Sequence, residues 1–262
     1  MENKILMVKK GKVMKYGNLI HNQIEDEKKG VGYIYSEHDK HILNKMCKEI
    51  NSTLGVQIHY LAELDLFSIK NSGEIVKKYL NYFESESVKA YLIPQLVADK
   101  IENCAEIVYR MYLDFKASND YIRLIGQPAP ADIYVRYDNA FKRLKPKKLS
   151  NELIQLISNP RDAFYLPLTV RMVASWRNPK TEEVLHRYIN KTEISSESVG
   201  MEDDPEMYCP PLSGIQKELL FSAIYGLRYY PTHQNVELLK KFINNENVDV
   251  SIAAKKSISA MT

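Results

Sequence analysis

One pattern recurs along this chain and limits what it can fold into: an apolar residue, two variable residues, then two apolar residues. Its copies are Val76, Tyr79 and Leu80; Val108, Met111 and Tyr112; Leu153, Leu156 and Ile157; Leu185, Tyr188 and Ile189; and Leu239, Phe242 and Ile243. Spacing of i, i+3, i+4 puts the three side chains of each copy on one helical face. The surroundings repeat as well. EIVKKYLN at 74–81 matches ELLKKFIN at 237–244 almost residue for residue, and EIVYRMYL at 106–113 is a third version. After most copies a short polar turn leads into a second apolar helix. The turn Asn159–Asp162 precedes Ala163 to Trp176, the turn Asn244–Asn247 precedes Val248 to Met261, and Tyr82–Ser87 precedes Val88 to Ala98.

Val76, Val108, Leu153, Leu185 and Leu239 stand 32, 45, 32 and 54 residues apart. Helix-pair repeats commonly run to about 40 residues, with insertions in loops. The 45-residue step contains the turn-rich break Gly126–Ala131. The 54-residue step contains 191–211, rich in Ser, Glu, Asp and Pro, with Glu202, Asp203 and Asp204 in a row. That stretch reads as a solvated acidic loop. Few glycines (10 in 262 residues) and many Lys, Glu, Leu and Ile suit helices better than sheets. The exception is Lys4 to Lys15, where Gly11 separates two alternating runs and predicts a small β-hairpin. The expected division is an N-terminal extension, 1–35, and one helical-repeat domain, 36–262, with the insertion 191–211.

Carried over by position, these features resemble the HEAT-repeat family over roughly Ser36 to Thr262. Pro94 and Pro167 each fall early in a helix, where HEAT units bend. Val170–Arg171 and the small pair Ala253–Ala254 match positions of close helix packing. The chain departs from the family in uneven repeat lengths and in lacking a clean Asp-x-Val-Arg signature. The resemblance implies an all-α protein, an α-α superhelix or solenoid of the armadillo-like kind. Families of this type mostly serve as binding scaffolds. A minority are enzymes, among them the HEAT-like DNA glycosylases of alkylated bases.

The second variable position of the repeated pattern holds Lys78, Arg110, Gln155, Arg187 and Lys241, about opposite the apolar stripe. By the resemblance, Lys78, Arg110, Arg187 and Lys241 form a basic row along the groove of the superhelix. The plainer alternative is ordinary surface Lys and Arg on exposed helix faces. The net charge of +3, from 36 basic and 33 acidic residues, does not by itself call for nucleic acid.

Other constellations each have a plain reading. His38 and His41 share a helix face and suggest a metal, but Ser36 with Glu37 and Asp39 equally describes an N-cap with first-turn acids. The basic run Lys142–Lys148 either grips phosphates or is a solvated turn at a helix C-terminus. Trp176, the single tryptophan, fits helix-end packing better than a lesion pocket. No HExxH, Walker A, GxSxG or GxGxxG motif occurs, so no catalytic residue, metal or cofactor is assigned. Cys47, Cys104 and Cys209 are odd in number and widely spaced, which suits reduced thiols in a cytoplasmic protein. No apolar run reaches the ~20 residues that span a bilayer. The N-terminus has no continuous apolar region and no small-residue cleavage site, so no secretory signal is expected.

Two functions follow as expectations. The first is a non-enzymatic scaffold or inhibitor- or immunity-type partner that presents a concave face to an acidic protein. The second is a HEAT-like protein that binds nucleic-acid backbone, with or without glycosylase-type chemistry.

Overall fold

The computed structural model describes residues 24–29, 36–66, 69–118, 130–190 and 212–262. The expected hairpin at Lys4–Lys15, most of the break at Gly126–Ala131, the acidic loop 191–211 and Cys209 lie outside these residues. Among the described residues the secondary structure is helical throughout, with no strand. The chain divides into two compact units, Met1–Pro128 and Ala129–Thr262.

In the first unit, α1 is Glu37–Leu54, α2 Leu61–Leu66 and α3 Gly73–Tyr79, the last extended by a 3-10 turn Leu80–Tyr82. They are followed by α4 Glu86–Tyr91, α5 Ile93–Asp99 and α6 Cys104–Ala117. Helices as short as α2 to α5 are not stable alone in water, so tertiary packing must hold them. Helix α1 packs on α3 and α3 on α5, while α2 packs on α4 and α4 on α6. Each helix thus meets the next but one. Helix α1 starts where the sequence predicts: the Ser36 hydroxyl accepts from the Asp39 amide at 3.1 Å. It ends at Gly55, whose φ of 67° is the left-handed conformation that closes a helix, with its amide donating to Asn51.

In the second unit, α7 is Pro130–Leu144, α8 Ser150–Ile157, α9 Pro160–Tyr165 and α10 Pro167–Ala174. Then come α11 Pro179–Asn190, α12 Leu212–Leu227, α13 His233–Lys240 and α14 Val248–Ser259. Helices pair as α8 with α10, α11 with α12, and α13 with α14; α12 also packs on α10 and α14. The predicted polar turns are N-caps. The Asn159 side chain accepts from Arg161 and Asp162, and the Asn247 side chain from Asp249 and Val250. Pro94 and Pro167 sit in the first turns of α5 and α10, where a missing N–H costs nothing.

The leading residues of the repeated stripe belong to the core: Val76, Val108, Leu153, Leu185 and Leu239 are all fully buried, whereas Tyr79, Phe242 and Ile243 are half-buried. Ala253 and Ala254 are buried where α14 meets its neighbours. A close approach between helices occurs at Gly226 on α12. A Cβ built there would stand 2.8 Å from Cδ1 of Leu185 and 3.3 Å from Cβ of Ala174. Only glycine lets α12 lie this close to α10 and α11.

Helix starts also receive carboxylates and amides from elsewhere, in α4 beside its own Ser85 cap. Glu27 accepts from the amides of Leu61 and Ala62 at 2.9 and 2.8 Å, closing the start of α2. Asp39 accepts from Glu84 and Ser85 ahead of α4, and Asp99 from Asn71 and Gly73 at the start of α3. The buried Gln95 amide accepts from the Ile69 amide and the Ser72 hydroxyl, and donates to the Leu64 carbonyl. Asp138 on α7 accepts from the Leu168 amide at 2.9 Å and from both the amide and hydroxyl of Thr169 at 2.7 Å, capping α10. Buried donors left unpaired would cost about 1–3 kcal/mol each, so these reaches lock neighbouring helices in register.

Cys47 and Cys104 are free thiols inside the first unit. Burial pushes Cys47 up to about 12 and Cys104 up to about 11. The thiolate is the reactive form, so both should resist iodoacetamide at pH 8 in the native protein and react once denaturant is added. Peptide mass spectrometry of the labelled protein is the check. Prompt native labelling of Cys47 would show that α1 is not packed as described.

Candidate functional site

The four basic positions of the expected row fall in both units. Lys78 is in the last turn of α3 and Arg110 lies on α6, each exposed in the first unit. Arg187 is on α11, half-buried, and exposed Lys241 follows α13 in the second. Lys78 is engaged: its Nζ meets Glu49 Oε2 at 2.8 Å and Oε1 at 3.0 Å, and the Tyr79 hydroxyl donates to the same carboxylate at 2.8 Å. Hydrogen bonding to Glu49 raises Lys78, and the reciprocal bond from Lys78 lowers Glu49. At this solvent exposure such a pair adds little stability; it does reduce the charge that Lys78 offers a partner.

Gln155 and Arg187, two members of the repeated position, come together. They line one cleft of about 580 Å³ between α8 and α11. Asn151, Ile154, Gln155 and Ser158 form one wall, and Lys180, Glu183, Val184 and Arg187 the other. Each wall is an i, i+3, i+4, i+7 stripe, hence a single helix face. Ile154 and Val184 are almost fully buried and make an apolar floor. Lys180 and Arg187 lie two turns apart on α11, with the acid Glu183 between them. The walls are tied together: the Tyr188 hydroxyl on α11 donates to the Ile157 carbonyl at the end of α8. Burial pushes the Tyr188 hydroxyl above its ordinary value, so this donor keeps its proton.

Several features of this cleft were not expected from the sequence. Lys180, Asn151 and Ser158 were not singled out, although 151, 154, 155, 158 and 180, 183, 184, 187 repeat the same helical spacing in α8 and α11. A polar stripe beside an apolar one was the available signal.

The other candidates from the sequence lie elsewhere in the fold. His38 is exposed and its Nε2 lies 3.0 Å from the Tyr82 carbonyl oxygen. Among the described residues no group of three or more His, Cys, Asp or Glu is arranged to hold a metal ion. Within Lys142–Lys148 the Lys and Arg residues are exposed, and Lys145 closes α7 with a φ of 48°. Trp176 is half-buried in the turn after α10. Among the described residues no helix is long and apolar enough to cross a membrane.

Compared with family models, curated proteins and solved structures, the chain matches none.

Proposed function

We propose that this chain is a non-enzymatic helical-repeat scaffold of HEAT-like construction that holds an acidic segment of another protein in the cleft between α8 and α11. The observation that carries this reading is the cleft itself. Two helix faces at matching spacing stand on either side of an apolar floor, with Lys180 and Arg187 along one wall and the amides of Asn151 and Gln155 on the other. Apolar residues of a bound segment would rest on Ile154 and Val184, while its carboxylates meet the two cations and its backbone meets the amides. The pairing of α8 with α10, α11 with α12 and α13 with α14 supports the repeat construction within the second unit. Glu183 favours a protein over a phosphate backbone, because an acid in the cleft repels a polyanion and is tolerated by a partner of mixed charge. An inhibitor or immunity-type role falls within this class.

The test uses the full chain and two fluorescent probes, a Glu- and Leu-containing peptide and a DNA duplex, followed by anisotropy and stopped flow across a range of salt. The peptide should bind, and K180S/R187S should slow its association by about tenfold at low salt, because charges of this kind act on encounter rate. Neither residue is part of the apolar core, so the variant should fold normally. Unchanged peptide association in the variant would remove the cleft from consideration. Strong duplex binding with a steep salt dependence would replace the reading with backbone recognition, since each phosphate contact releases counterions.

A further inference from the structure

Arg171 on α10 is set against aromatic side chains of α12. Its guanidinium lies over two aromatic rings of α12, 5.1 Å from the centre of Phe221 and 4.9 Å from that of Tyr225. The two rings meet edge to face, 5.1 Å apart. Arg171, Phe221 and Tyr225 are each half-buried, so the cluster is solvent-accessible and partly desolvated at once. Phe221 and Tyr225 are four apart on α12, one face of that helix.

Nε of Arg171 is buried with no hydrogen-bond partner inside the protein. Asp138 is close enough for the two charges to interact, and its oxygens accept from Leu168 and Thr169. A cation whose only task was to fill space between two helices could be replaced by an aliphatic residue without leaving a donor unpaired. Here the donor is retained at a cost. A planar guanidinium fixed by ring stacking has little rotamer freedom left to lose, and its fork of N–H groups fits a carboxylate with two parallel bonds. Arg and Tyr in a partly desolvated setting are also the residue types that dominate binding energy at protein interfaces.

We propose that Arg171, held by Phe221 and Tyr225, is the anchor of a second protein-binding surface that receives a glutamate or aspartate side chain of a partner protein. The surface shares no residue with the α8–α11 cleft. The rings accept the methylenes of the incoming side chain while the guanidinium takes its carboxylate. A protein partner fits better than a phosphate backbone, because Glu218, exposed on α12 one turn before Phe221 and Ser222, leaves the surface mixed in charge.

The experiment follows the Arg171 Nε–H resonance of the ¹⁵N-labelled full chain by NMR. N-acetyl-glutamate N-methylamide is the probe, with the glutamine analogue and methyl phosphate as comparisons. The glutamate probe should move the resonance saturably, and the glutamine analogue should bind about tenfold more weakly, since hydrogen bonds between charged groups are worth about 1.5–3 kcal/mol. R171K, which keeps the charge and loses the fork and the stacking, should retain the amide spectrum of the fold and also bind about tenfold more weakly, read on Tyr225 and its neighbours. Y225L should weaken binding about twofold to fivefold through loss of one ring face. In K180S/R187S the response should be unchanged, which separates this surface from the cleft. The proposal is overturned if no probe gives a saturable shift, if the glutamine analogue binds as well, or if R171K matches the native chain. Tighter binding of methyl phosphate overturns it in favour of a phosphate-bearing partner, and loss of the response in K180S/R187S assigns the probe to the cleft.

Discussion

Leu185→Ala is expected to destabilise the second unit by about 2–5 kcal/mol, the range for removing a fully buried leucine and leaving part of the cavity behind. Leu185 is completely enclosed, and both its methyl carbons lie over Gly226, at 2.8 and 3.0 Å from where a Cβ would stand. The same geometry makes Gly226→Ala unfavourable in the native background. It gains up to about 1 kcal/mol of helix propensity, but forcing a methyl against Leu185 and Ala174 costs about 1–3 kcal/mol. The two substitutions should therefore couple. In the Leu185→Ala background the space is open, and Gly226→Ala should become neutral or stabilising. Urea denaturation of the four proteins measures the coupling directly. Additive effects would mean that α11 and α12 do not meet at these residues. A loss below about 1 kcal/mol for Leu185→Ala would mean that the repeated stripe is not the core.

Asp138→Ala should cost a comparable amount, about 2–4 kcal/mol, because it leaves the amides of Leu168 and Thr169 and the Thr169 hydroxyl without their acceptor at once. Helix α10 has no cap of its own: Leu166 occupies the cap position and Pro167 follows it. Asp138→Asn should restore part of the loss, since its single oxygen can still accept. The pH dependence separates the acid from the amide. Burial raises the Asp138 carboxyl above its ordinary 3.8, and the hydrogen bonds from Thr169 and Leu168 offset only part of that shift. A group whose folded value is raised contributes stability that is full below the unfolded value and lost as pH rises through the folded one. The native protein should therefore gain stability over Asp138→Asn as pH falls through the carboxylate range towards 3.8. A difference between the two that does not change with pH would show that the folded carboxyl is not raised, the hydrogen bonds then offsetting burial in full.

The parts of this molecule that were legible in the sequence are those that a single helix specifies. An i, i+3, i+4 stripe must face something apolar whatever the neighbours are, and all five leading residues, Val76, Val108, Leu153, Leu185 and Leu239, are buried. The polar turns at Asn159 and Asn247 cap the helices that follow them, and Ser36 caps α1, because a cap needs only the next three residues. The position opposite the stripe was legible as exposed or half-buried, but not the company it keeps. Lys78 is tied to Glu49, 29 residues away, whereas Gln155 and Arg187 share a cleft.

What only the tertiary structure decided is which helices are neighbours. Asp138 caps a helix through Leu168, 30 residues later, and Gln95 bridges the end of α2 and the start of α3. Gly226 matters because Leu185 lies over it, and Arg171 becomes distinctive only when α10 sets it against Phe221 and Tyr225. None of these is a property of a local window. Each depends on two segments brought within hydrogen-bond or van der Waals reach by the burial of their stripes. That burial is nearly indifferent to which apolar face meets which, and the choice is made by polar groups and close approaches that function only when the right pair of helices has met.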